Sequence, residues 1–186
     1  MLQPVSVHAR GGPVPGHCRP AGVRSGQVAI GNGSSELLEK ACYAFGGAGR
    51  KIASATPSFS MYQTYAILAD SEPVLFPLTA DGFVDPEGVI AFCREEKPAL
   101  IIICNPNNPT GNFNPRAAME KIIRNVECPV IMDEAYMEFA VEEGKMEELS
   151  TLDLVNEVDN LLVLKTFSKP TAWPICGSAT EWAVQP

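Results

Sequence analysis

Four short polar stretches hold the residue types in this chain that could do chemistry. GNGSSE, from Gly31, sets glycines just ahead of a predicted helix start, where free backbone N–H groups and the positive end of the helix dipole favour a phosphate. Gly33, Ser34 and Ser35 are its candidate ligands, although a glycine turn with a serine cap is the commoner use of such a stretch. NPNNPTG, from Asn105, is a loop fixed by two prolines and a glycine that presents Asn105, Asn107 and Asn108 either to a ligand or to its own backbone. Asp133 ends an apolar run, and a carboxylate there is costly unless it meets a cation or several donors, which nearby amides could also supply. Lys169 follows an apolar run and a Thr-Phe-Ser turn, as either a surface amine or a nucleophile.

These stretches combine only if the fold gathers them. The pattern predicts a strand from Val28, then a helix capped by Ser34 or Ser35 with Glu36 in its first turn. It continues with a strand near Lys51 to Ala55, a helix near Ser60 to Ala69, a strand near Pro73 to Leu78 and a helix around Pro86 to Glu95. ALIIIC, ending at Cys104, is too short for a helix and β-branched enough for a strand buried on both faces. A helix from Pro115 to Asn125, a strand ending at Asp133 and the strand Leu161 to Leu164 complete the series. Strands alternating with helices imply right-handed crossovers and a three-layer α/β/α fold with a mostly parallel sheet. Ligands of such sheets gather at the carboxyl ends of the strands, and all four polar stretches are expected there.

A phosphate cup, an asparagine, a buried acid and a lysine at one sheet edge are what pyridoxal 5'-phosphate requires. The amine forms a Schiff base with its aldehyde, and the acid keeps its ring nitrogen protonated. GNGSSELL, PSFSMY, CNPNNPTG, MDEAYMEF and LKTFSK, between Val28 and Lys169, resemble the fold-type I pyridoxal-phosphate aminotransferases in order and approximate spacing. The resemblance is nearest to the histidinol-phosphate aminotransferase branch, and it implies transfer of an amino group between glutamate and imidazole-acetol phosphate. It implies that Lys169 is the Schiff-base lysine and proton shuttle, that Asp133 pairs with the ring nitrogen, and that Tyr136 and Asn108 bond the ring 3'-oxygen. Ser34, Ser35 and Ser168 would hold the phosphate, with Gly33 in the same turn, and Phe59 would stack on the ring. The family commonly has Asp at position 35 and Tyr at position 59, both mild departures. Full-length relatives work as homodimers on small amino-acid and phosphate substrates. An aromatic aminotransferase or threonine-phosphate decarboxylase would share nearly all these cofactor residues, and a catalytically inactive remnant is the alternative from another class.

Three segments are expected: an aberrant or disordered leader over 1–26, a partial cofactor-binding large domain over 27–169, and an aberrant tail over 170–186. The leader has four prolines and no acidic residue. Past Lys169 the family's glycine-rich turn and Leu-Ala-x-Leu-Arg-x-Gly-Tyr run are missing, yet TAWPICGSATEW read in a shifted frame permits Leu-Ala-Asp-Leu-Arg-Ile-Gly-Tyr. A frame-shifted tail is therefore expected, with the rest of the family's large domain and its small C-terminal domain absent from these 186 residues.

The 186 residues carry 46% hydrophobic side chains and a net charge of -8, which argues against nucleic acid or an anionic membrane as partner. Glu142, Glu143, Glu147 and Glu148 fit a solvated helix face. Six scattered cysteines look like free thiols of a reducing, cytoplasmic compartment, and the two histidines, His8 and His17, argue against a metal site.

Overall fold

The strand Leu100–Cys104 has the sequence LIIIC, and all five of its residues are buried. Such a run is stable only where both faces of a sheet are covered. The computed structural model describes residues 23, 25–140, 146–166 and 179–184, with the backbone alone at 25, 146, 147 and 179–184. In chain order these form β1 (Val28–Asn32), α1 (Gly33–Phe45), β2 (Lys51–Thr56), α2 (Met61–Leu68), β3 (Glu72–Pro77), α3 (Pro86–Glu96) and β4 (Leu100–Cys104). There follow α4 (Arg116–Asn125), β5 (Val130–Asp133), α5 (Met137–Ala140), α6 (Met146–Leu149), a 3₁₀ turn (Leu152–Asn156), β6 (Leu161–Leu164) and β7 (Ala179–Val184).

The sheet order is β1-β7-β6-β5-β4-β2-β3. Pairings from β6 through β5, β4 and β2 to β3 are parallel, and β7 runs antiparallel to both its neighbours. Strand alternation sorts the side chains into two cores. Leu100, Ile102 and Cys104 face α1 and α2 with Leu38, Tyr62 and Ile131. Ile101 and Ile103 face α3 and α4 with Ile90, Met119, Ile122 and Val130. The expected three-layer architecture with a mostly parallel sheet is what the chain adopts.

Local chemistry sets the element ends. The Asp85 side chain accepts the Glu87 N–H at 3.2 Å, and Pro86 opens α3 where its missing N–H costs nothing. In α4 the buried residues Met119, Ile122 and Ile123 repeat at helical spacing. The start of α1 differs from expectation. Its N-cap is Asn32, no side chain caps it, and Ser34 and Ser35 fall inside its first turn. Gly33, at a φ of 80°, turns the chain one residue ahead of the serines, and the Glu36 carboxylate takes the Asn32 N–H instead.

Two features lie in the segments read as aberrant. Val23 is buried in the α3/α4-side core, and β7 joins β1 to β6 by antiparallel pairing. The sequence reading assigned no strand past Lys169. ATEWAV does carry Thr, Trp and Val, which favour extended backbone, but six residues without flanking periodicity give little signal.

Cys42, Cys93 and Cys104 are buried free thiols and Cys128 is a half-buried one, while Cys18 and Cys176 lie outside the described residues. Burial, helped by Glu39, pushes the Cys42 thiol up to about 12. Among the described residues no helix is long and apolar enough to cross a membrane, and no group of three His, Cys, Asp or Glu side chains could hold a metal.

Ile102 is 0% exposed on a central strand, whereas Ile67 on α2 is 62% exposed. Ile102→Ala is expected to lower unfolding free energy by about 2–5 kcal/mol and Ile67→Ala by less than about 0.5 kcal/mol, measured by urea denaturation.

Candidate functional site

Of the predicted residues, the described ones lie at or just past the carboxyl ends of the strands. Cys104 and Asp133 are paired across β4 and β5, and Asp133 is opposite Leu164 on β6. Asp133 keeps the facing of Ile131, toward the α1/α2 layer, and is 4% exposed. Its Oδ2 accepts the Tyr62 hydroxyl at 2.7 Å, and its Oδ1 accepts the Ala135 N–H at 3.1 Å. Burial first, then the neighbouring Asp133 charge, raises the Tyr62 hydroxyl well above an ordinary tyrosine. Tyr62 is therefore a donor to the carboxylate at neutral pH.

Sequence reasoning missed Tyr62. It falls on the apolar side of a short helix, and its partner is 71 residues away, so no local pattern marks it. The only trace is its place in PSFSMY, three residues after Phe59. The Phe59 ring is half-buried and meets the Tyr62 ring edge-on, with centroids 5.4 Å apart.

The NPNNPTG loop divides its asparagines by role. The Asn105 N–H donates to the Asp133 carbonyl at 2.9 Å, and its side chain clasps both backbone groups of Asn114, accepting at 2.8 Å and donating at 3.0 Å. Asn107 donates to the Pro57 carbonyl at 3.1 Å and to Thr110 Oγ1 at 2.9 Å, and accepts from Ser58 Oγ at 2.7 Å. These two are taken up in fixing the loop, the backbone-bonding use that the sequence left open for all three. Asn108 is half-buried, and its side chain hydrogen-bonds to no other described residue.

Gly33, Ser34 and Ser35 occupy the first turn of α1, at the carboxyl end of β1, with Ser35 exposed and Ser34 half-buried. The first N–H groups of a helix have no partner within it, so this turn offers donors. Glu36 sits at the same end, its carboxyl held below the usual range by Lys40 at 2.5 Å and the Asn32 N–H. β1 and β5 are three strand steps apart in the sheet, roughly 14 Å, so the first turn of α1 and Asp133 lie along the same carboxyl edge.

Tyr136 follows β5 in a half-buried turn, its ring 6.2 Å from Phe139. Ser168 and Lys169 lie outside the described residues. The chain toward them is described as far as Thr166, which is buried.

A family model, aminotransferase class I and II, matches residues 21–174. The histidinol-phosphate aminotransferase of Clostridium novyi (strain NT) is 40% identical over 148 residues, covering 80% of this chain and 40% of that protein. Its counterpart in Chlorobaculum parvum (strain DSM 263 / NCIMB 8327) is 38% identical over 151 residues, covering 81% and 41%. The chain thus spans about two fifths of the length of the curated relatives it matches. Among solved structures, histidinol-phosphate aminotransferase from Sinorhizobium meliloti, in complex with pyridoxal-5'-phosphate, superposes with a TM-score of 0.74 at 23% identity over 85% of this chain and 42% of that one, a likeness of fold.

Tyr62→Phe deprives a buried carboxylate of a donor and is expected to destabilise by about 1–3 kcal/mol at neutral pH. Because the folded hydroxyl ionises at higher pH than the unfolded one, its contribution is whole below about pH 10 and is lost as pH rises further. Denaturation curves at pH 7 to 11 should show a shallower alkaline decline in the variant than in the parent chain.

Proposed function

The chain belongs to the aminotransferase class I and II family, and on that premise we propose that it is the cofactor-binding portion of a pyridoxal 5'-phosphate-dependent aminotransferase. The reaction is amino transfer between histidinol phosphate and imidazole-acetol phosphate, with 2-oxoglutarate and glutamate as the second pair. The names of the relatives support that substrate pair. The partners that fit are a small amino-acid or phosphate substrate and, as in the family, a second copy of the chain. Residues 27–169 form the cofactor-binding unit.

The observation that carries the reading is Asp133, a buried carboxylate held by Tyr62 at the same carboxyl edge as the first-turn donors of α1. A carboxylate accepts about four hydrogen bonds, so a ring N–H adds to its contacts with Tyr62 and Ala135. The donor set therefore fits the cofactor. When bound, pyridoxal phosphate supplies an aldehyde to capture the amino group and a ring to take up the electron pair left at the substrate carbon.

The protein's part is holding and proton handling. Asp133 holds the proton on the ring nitrogen, and Phe59 presents an aromatic face to stack on. Asn108 and Tyr136 donate to the ring oxygen. The first-turn donors at Gly33, Ser34 and Ser35, with Ser168, hold the phosphate. The Glu36 carboxylate opposes an anion at that end, and its pairing with Lys40 offsets part of the repulsion. Lys169 would be the residue that attaches the cofactor and carries the substrate proton.

Mixing the chain with pyridoxal phosphate should give a visible absorption band that Lys169→Ala lacks. Borohydride reduction followed by peptide mapping should place the cofactor on Lys169. Added histidinol phosphate and 2-oxoglutarate should then yield glutamate. Release of carbon dioxide from threonine phosphate would favour the decarboxylase chemistry. A band without turnover would mark an inactive cofactor-binding chain, and no band at all would overturn the reading.

A further inference from the structure

Behind the candidate site lies a second set of buried charges that the proposed reaction does not use. Glu134 and Lys165 are the first residues past the adjacent strands β5 and β6. Alternation sends both side chains to the face opposite Asp133, toward the core that contains Leu154 and Val155. Glu134 is fully buried. Its Oε1 accepts the Thr151 N–H at 2.7 Å and the Thr151 hydroxyl at 2.8 Å, while its Oε2 accepts the Ser150 hydroxyl at 2.5 Å and lies 3.2 Å from Lys165 Nζ. The Glu134 N–H donates to the Leu164 carbonyl at 2.9 Å, closing the same junction through the backbone. Glu138, four residues further on, lies 3.5 Å from Lys165 Nζ, and its Oε2 is buried with no hydrogen-bond partner.

Lys165 faces opposing influences. Burial favours its neutral form, yet Glu134 and Glu138 outweigh it, so the ammonium stays charged. A buried ion pair adds little stability over apolar residues of equal volume, because desolvation consumes most of its attraction. What such a pair provides is a fixed distance. Here it is the distance between two chain exits, one carrying Asp133 and Tyr136 on its flanks and the other leading in four residues to Lys169.

We propose that Glu134, Lys165 and Glu138 are positioning residues, a buried charge clamp that locks the end of β5 to the end of β6 and so fixes Asp133 and Tyr136 relative to the point where the chain leaves β6 toward Lys169. The proposal rests on the reading of Asp133 and Lys169 as the two anchors of the cofactor. The clamp acts through the backbone and touches no reacting group.

The test uses the whole chain with Lys165→Met, which keeps an apolar stem, and Lys165→Arg, which keeps the charge. Two quantities are measured: amide hydrogen exchange without cofactor, and the dissociation constant for pyridoxal phosphate. In Lys165→Met, exchange at residues 134–136 and 164–166 should accelerate about tenfold or more, and cofactor binding should weaken by a similar factor, while Ile101 to Ile103 keep their protection. Lys165→Arg should stay within about threefold of the parent in both. Wild-type exchange at 134–136 in Lys165→Met, or protection lost evenly across the sheet with unchanged cofactor affinity, would overturn the clamp. If Lys165→Met does not fold, Glu138→Gln takes its place, with the same local pattern at about threefold or more expected and an unchanged pattern counting against it. Failure of the parent chain to bind pyridoxal phosphate would instead defeat the cofactor reading, and the exchange pattern would still decide the clamp.

Discussion

A carboxylate buried at the end of a central strand must be met by donors, and the hydrogen bond from Tyr62 to Asp133 is how this fold meets that demand. The bond ties α2 to β5 across the sheet edge, and with it the PSFSMY segment to DEAY. Once the Tyr62 hydroxyl is committed to Asp133, the position of Phe59 three residues earlier is set by the edge-on contact of the two rings. The strand pairing of Cys104 with Asp133, continued by the Asn105 N–H, brings the NPNNPTG loop to the same place.

Around that bond the loops are stiffened by asparagines that serve structure. Asn105 holds Asn114, whose Oδ1 accepts the Val84 N–H at 2.8 Å, so the loop after β4 is tied to the start of α3. Asn107 fastens the same loop to Pro57 and Ser58, beside Phe59. Fixing these segments in advance removes ordering cost when a ligand arrives, the usual source of gain from preorganised sites. The price in sequence is two asparagines whose chemistry is spent before Asn108 is reached.

The two sides of the β5 exit then divide the work. Asp133 faces the α1/α2 layer, while Glu134, the next residue, faces the layer behind it and is satisfied there by Ser150, Thr151 and Lys165. One strand thus delivers two buried carboxylates in opposite directions, each with its own donors.

The sequence by itself determined the class of fold, because periodicity, β-branched runs and turn residues are local properties. ALIIIC had to be a central strand, Pro86 had to open a helix, and MDEAY and NPNNPTG carried a family resemblance on their own letters. It did not determine the start of α1, where the conformational freedom of Gly33 outran the capping preference of the serines, nor β7, whose six residues become a strand by pairing with β1 and β6. Nor could it sort three asparagines into two braces and one available amide, or tell that Glu134 and Glu138 turn inward to share Lys165. Each of those outcomes depends on partners tens of residues away, and only the packed sheet decides which side chains come within hydrogen-bonding distance.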